Sequence, residues 1–147
     1  MATRSALLVS AVDENHEFLG RVFLQQGWVL FKTRTIESAL VLLNHNPVSV
    51  VITERDVPPG NWKDLLRAIQ PLPDAPLLIV TDRLADECLW AEVLNLGGHD
   101  VLGQPFQLTE LLWVLGTAWQ IKENNQTRSP RSETQALFAQ VNKGELK

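Results

Sequence analysis

The chain has a single cysteine, Cys88, and no tyrosine. One thiol forbids an intrachain disulfide. No apolar run approaches the roughly 20 residues that a bilayer crossing needs. The apolar stretch 6–9 is shorter than the roughly 7–15 residues of a signal-peptide core. A cytoplasmic protein is the simplest expectation. No Lys/Arg run occurs and the net charge is −4. Phosphate-backbone binding needs clustered cations, so neither nucleic acid nor a membrane surface is an expected partner. Gly-x-Gly-x-x-Gly, a phosphate loop ending Gly-Lys-Ser/Thr and Gly-x-Ser-x-Gly are all missing. His16, His45 and His99 stand in separate segments without ligand spacing. These absences argue against an enzyme.

What is present is an alternation. The chain is 147 residues long, enough for one domain with a full core. Its 45% hydrophobic and 20% charged content is ordinary for a globular protein. Short β-branched runs predict strands at 6–10, 28–32, 48–53, 77–81 and 100–102. Between them, apolar periodicity predicts helices over 14–26, 36–44, 61–70, 85–96 and 108–120. Asp13 is the expected N-cap of the first helix and Thr35 of the second, although Ser38 leaves that capping box incomplete. Gly97-Gly98 is a C-cap signal. Five strands alternating with five helices predict an α/β fold, a doubly wound parallel sheet with helices on both faces. Residues 1–120 make up this domain. Residues 121–147 read as a polar tail, with a short amphipathic helix pattern at 134–141.

In such sheets, function gathers beyond the carboxyl ends of the strands. Those ends are 10–14, 54–60, 81–83 and 103–106. The strand 48–53 stops abruptly in Glu54-Arg55-Asp56-Val57-Pro58-Pro59-Gly60, a carboxylate-rich Pro/Gly loop.

Two patterns carry a family resemblance. Val50-Val51-Ile52-Thr53-Glu54-Arg55-Asp56-Val57-Pro58 is similar to the phosphoacceptor strand and loop of response-regulator receiver domains, which are chemotaxis-regulator-like. Gly97-Gly98-His99-Asp100-Val101-Leu102-Gly103-Gln104-Pro105-Phe106 resembles the family's Gly-Ala-Asp-Asp-Tyr-Leu-x-Lys-Pro-Phe. Leu78-Ile79-Val80-Thr81 supplies a strand with its terminal hydroxyl. The resemblance spans 6–120. It implies a flavodoxin-like strand order 2-1-3-4-5, a role in two-component (phosphorelay) signal transduction, and a cis peptide at Gln104-Pro105.

The departures from the family pattern are chemical. The family's acidic pair holds Mg²⁺, its Asp accepts the phosphoryl group, and its Lys binds phosphoryl oxygens. Gap-free counting puts Ser10 and Ala11 where the acidic pair belongs, and neither ligates Mg²⁺ as a carboxylate does. Asp13 and Glu14 lie three residues on: either a rearranged loop returns them to the site, or they are helix-start acids that favour the dipole. Gln104 replaces Lys and removes a full positive charge. Thr81 is retained, either as the family hydroxyl or as an ordinary strand end. Val101 replaces an aromatic that commonly reports the switch state.

Glu54 occupies the phosphoacceptor position. Its extra methylene moves the carboxylate by roughly 1 Å, and a shift of that size costs roughly a hundredfold in rate. Three readings remain: a nucleophile, a built-in acidic mimic, or drift. A mimic would hold about −1, against about −1.5 to −2 for a phosphorylated residue. Asp56 falls where the family offers a backbone carbonyl to the metal.

A silent site moves function to a surface. Five tryptophans are unusual beside no tyrosine. On the helix 108–120, residues Leu108, Leu111, Leu112, Val114, Leu115, Ala118 and Trp119 share one side. Trp113 falls among Thr109, Glu110, Thr117 and Gln120, as a contact site or packed under the tail. Trp90 is a similar candidate on the fourth helix. Trp62 either covers the pocket or anchors the third helix. By resemblance, Trp90 and Trp113 lie on the face of helix 4, strand 5 and helix 5, through which receivers dimerise or bind partners. The leading expectation is a stand-alone divergent receiver, not an enzyme. It needs no cofactor and acts on a protein partner, a histidine kinase or a second copy of itself. The alternative is a working Mg²⁺-dependent phosphoacceptor using Glu54 or Asp56.

Overall fold

A computed structural model describes residues 4–127. The chain opens with β1 (Ser5–Val9), α1 (Asp13–Gln25), β2 (Val29–Thr33) and α2 (Ile36–His45). It continues with β3 (Val50–Glu54), a small hairpin of β4 (Asp56–Val57) and β5 (Gly60–Asn61), and α3 (Trp62–Ile69). It closes with β6 (Leu77–Asp82), α4 (Glu87–Leu96), β7 (Asp100–Gly103) and α5 (Leu108–Thr127). The main sheet is parallel throughout, in the order β2-β1-β3-β6-β7. With β6 and β7 as its fourth and fifth strands, this is the expected doubly wound order.

The apolar runs of β1 and β3 follow from coverage of both faces. Ala6, Leu8, Val50 and Ile52 pack on one side against Leu19, Val22 and Phe23 of α1 and Leu111, Val114 and Leu115 of α5. Leu7, Val9, Val51 and Val80 pack on the other against α2, α3 and α4, through Ala39, Leu65, Ile69, Leu89 and Val93. Each such fully buried Leu, Ile or Val stabilises by about 1.5–3 kcal/mol.

Local chemistry fixes the helix ends. Thr35 Oγ1 accepts from the Ser38 amide at 3.0 Å, as expected. Asn61 and Asp64 form a complete capping box that starts α3. Gly97 closes α4 at φ 105°, in the left-handed region that glycine enters without strain. The Gln104-Pro105 peptide is cis, as is Pro58-Pro59.

Several expectations are corrected. The N-cap of α1 is Val12, with no side-chain cap, and Asp13 is the first helical residue. Leu108 is half-exposed at the start of α5 rather than part of its buried face. The β4–β5 hairpin, only two residues per strand, was too short to leave a pattern. Most consequentially, α5 does not stop at 120. It runs to Thr127. Lys122, within this extension, is 3% exposed. Its ammonium donates to Asp74 Oδ1 at 2.8 Å and to the Ala75 carbonyl at 3.0 Å, pinning the last turns of α5 to the loop before β6. The suggested helix at 134–141 lies outside the described residues.

Candidate functional site

The carboxyl ends of β1, β3, β6 and β7 converge on Glu54. Glu54 is the last residue of β3 and pairs in register with Thr81 of β6. Its carboxylate accepts three side-chain hydrogen bonds, all from uncharged groups. Ser10 Oγ donates to Oε2 at 2.9 Å and Asn15 Nδ2 donates to the same oxygen at 2.7 Å. Gln104 Nε2 donates to Oε1 at 2.9 Å and reaches Thr81 Oγ1 at 3.2 Å. Ser10 and Thr81 are fully buried and Asn15 is 8% exposed.

Backbone geometry holds these donors. The Ser10 amide donates to the Thr33 carbonyl, anchoring the residue just past β1. Its hydroxyl oxygen also accepts from the Val12 amide at 3.0 Å, which turns the chain into α1. The Ser10 carbonyl accepts from Nε2 of buried His16 at 2.7 Å. A carbonyl has no proton to give, so His16 Nε2 is the donor in this contact. Its buried Nδ1 has no hydrogen-bond partner.

Of the expected site residues, Glu54, Thr81 and Gln104 come together. Asp13, Glu14 and Asp56 do not join them. Asp13 is exposed and pairs with Arg34. The Arg34 hydrogen bond, then its charge, hold the Asp13 carboxyl below the ordinary Asp range. Glu14 lines a neighbouring cavity of about 500 Å³ with Phe18, Arg21, Arg83 and Phe106, and Asn15 and Gln104 form part of its wall. Asp56 is exposed on β4. Trp62 is buried in the core beside α3, so it anchors the helix start rather than covering the site.

Sequence reading missed Asn15. The signal was available: Asn15, Leu19 and Val22 recur at i, i+4 and i+7, which places a carboxamide on the buried face of α1. A buried carboxamide needs partners, so its position alone announces a polar site nearby.

The donors do not fit a divalent cation. Mg²⁺ takes oxygen ligands, ordinarily with one or two carboxylates. Glu54 is the one carboxylate in this set, and the atoms touching it are hydrogen-bond donors. Among the described residues, no group of three or more His, Cys, Asp or Glu side chains is placed to hold a metal.

The outer faces differ. Trp113 is 65% exposed on α5 and Trp90 49% exposed on α4. Val101, on β7 between them, is partly buried. A shallow groove runs from Trp90 past Val101 to Gln104 and Glu110.

No protein-family model and no curated protein sequence matches the chain. Its architecture, however, is widely shared. It superposes on the signal receiver domain of an HD domain-containing protein from Pseudomonas fluorescens Pf-5 with a TM-score of 0.79, at 24% identity over 88% of this chain and 96% of that one. The chain has the receiver-domain fold. The HemR receiver domain from Leptospira biflexa is also similar, with a TM-score of 0.70, 23% identity, and 79% and 94% of the two chains covered. So is the Saccharomyces cerevisiae receiver domain of the response regulator Ssk1, solved with the histidine phosphotransfer protein Ypd1. There the TM-score is 0.65 at 12% identity, covering 74% of this chain and 83% of the other. Within this receiver fold, Glu54 stands at the end of the third strand, with Gln104 beyond the fifth. Among the described residues no helix is long and apolar enough to cross a membrane.

Proposed function

We propose that this chain is a receiver-type protein of two-component signalling that works through protein contact, without phosphotransfer. The observation that carries this reading is the state of Glu54. Its carboxylate is engaged by Ser10, Asn15 and Gln104, with neither a second carboxylate nor a lysine in the set. Phosphoryl transfer depends on positioning and on neutralising charge around the transferring group. Here the metal-binding carboxylates and the cation are replaced by amides and a hydroxyl. The carboxylate is held as a fixed negative group, which supports the mimic reading over a freely solvated strand end.

Contact would then be made through α4, β7 and α5, where exposed Trp90 and Trp113 supply the aromatic surface typical of binding hot spots. The partner class is a histidine kinase, a phosphotransfer protein such as the one solved with the Ssk1 receiver, or a second copy of this chain. The setting is cytoplasmic. Incubation with a small acyl-phosphate donor and Mg²⁺, followed by intact-mass measurement, tests the proposal. The mass should stay unchanged. A stable gain of one phosphoryl group at Glu54 or Asp56 would reverse it.

A further inference from the structure

We infer that Ser10, Asn15 and Gln104 form a lock that takes the place of a metal ion, that the site consequently rejects divalent cations, and that Asn15 is the positioning residue that decides this. The inference deepens the reading above and rests on its assignment of the Glu54 site.

A carboxylate offers about four lone-pair positions. Three of them are taken: two on Oε2 by Ser10 and Asn15, one on Oε1 by Gln104. A cation entering here would have to displace hydrogen bonds from donors of which two, Ser10 and Asn15, have little access to water. Ser10 is fully buried and Asn15 is 8% exposed. The displaced donors would then lie beside the ion with the positive ends of their dipoles facing it. An ionised carboxylate cannot donate, so the Asn15 amide must present its NH₂ to Glu54 and turn its carbonyl oxygen elsewhere. Asn15 therefore does not offer a ligand in this arrangement.

The nearby carboxylates do not compensate. Asp13 is held by Arg34, and Asp82 by Arg55 at 3.5 Å. Glu14 faces the neighbouring cavity, and Asp56 is exposed on the hairpin. Asn15 is decisive because Asp has the same shape. Asn15→Asp would set a second carboxylate within hydrogen-bond distance of Glu54 Oε2, where like charges repel. That pair has a use for a divalent ion that the present site lacks.

The test is thermal unfolding of the full chain, with and without about 10 mM MgCl₂ at matched ionic strength. The Tm of the unmodified protein should move by less than about 1 °C. Asn15→Asp should melt lower without Mg²⁺ and gain about 3 °C or more with it. Asn15→Ala should melt lower and gain nothing from Mg²⁺. Stabilisation of the unmodified protein by Mg²⁺, indifference of Asn15→Asp to Mg²⁺, or equal recovery of Asn15→Ala would each overturn the lock. Should Asn15→Asp fail to fold, a Mn²⁺ titration of the unmodified protein, followed by paramagnetic line broadening, decides alone. Saturable broadening at the Glu54 site would refute the inference, and its absence would support it. No phosphodonor enters these assays. Cation uptake without phosphoryl gain sinks the lock and leaves the silent receiver standing; phosphoryl gain without cation uptake does the reverse.

Discussion

Removing the Glu54 carboxylate separates a held group from a drifted one. Glu54→Ala deletes the acceptor for three donors. Gln104 is partly exposed and can turn to water, but Ser10 is fully buried and Asn15 nearly so. A buried donor left without a partner costs about 1–3 kcal/mol. Two such donors, partly relaxed, give an expected loss of about 2–4 kcal/mol. Glu54→Gln is milder. Its amide oxygen still accepts from Ser10 and Asn15, and its NH₂ can face Gln104 once that side chain flips. What disappears is the charge assistance, roughly 0.5–1 kcal/mol per bond, offset in part because a neutral amide is cheaper to desolvate, so the loss stays below that of Glu54→Ala. Urea unfolding followed by tryptophan emission reads both variants, since Trp28 and Trp62 are buried reporters. A loss of about 3 kcal/mol corresponds to a Tm drop of about 10 °C for a chain of this size. The order Glu54→Ala worse than Glu54→Gln is the signature of the donor set. A Glu54→Ala protein within about 0.5 kcal/mol of the original would mark an unconstrained surface residue and refute the reasoning.

Acid should weaken the fold in two stages. Burial holds the His99 pKa below its ordinary 6.5, so the unfolded chain takes up that proton first and stability declines as pH falls below about 6.5. The Asp13 carboxyl is held below 3.8 by Arg34, and that of Asp64 by the Asn61 amide and then Arg67, so their contributions persist above that value and fade beneath it. Urea midpoints that stay flat from pH 7 to pH 5 would contradict the His99 part. Lys122→Ala should cost about 1–2 kcal/mol by urea unfolding, because the stem is buried and its acceptors lose their donor, whereas the exposed Asp74 side chain can rehydrate; no loss would mean that the end of α5 is not pinned. Trp113→Ala should lower the oligomer or complex mass by light scattering while leaving stability within about 0.5 kcal/mol. An unchanged mass at every concentration tested would remove Trp113 from the contact surface.

The sheet was legible because its signals are local. A buried parallel strand is a short apolar run, and Val50–Ile52 or Leu78–Val80 cannot be read otherwise once helices flank them. The end of α5 was not legible, because the residues after 120 are polar and the contacts that Lys122 makes reach positions 47 and 48 residues away in sequence. The site was half legible for the same reason. Glu54, Thr81 and Gln104 sit at strand ends, where the fold itself says to look. Asp13 and Glu14 drew attention because carboxylates are what a metal site needs, yet α1 turns them outward and turns Asn15 inward. Ser10 was noted only as a missing carboxylate, and it proves to be a donor. The missing carboxylates mark the empty positions, and the bonding needs of the buried polar residues Ser10 and Asn15 mark what fills them. The Glu54 carboxylate is half-buried, and the part taken from water is compensated by a metal, a cation or hydrogen bonds. With Ser10, Ala11 and Gln104 at those positions, hydrogen bonds are what this site supplies. Asn15, the neutral donor already facing the core, is their nearest source.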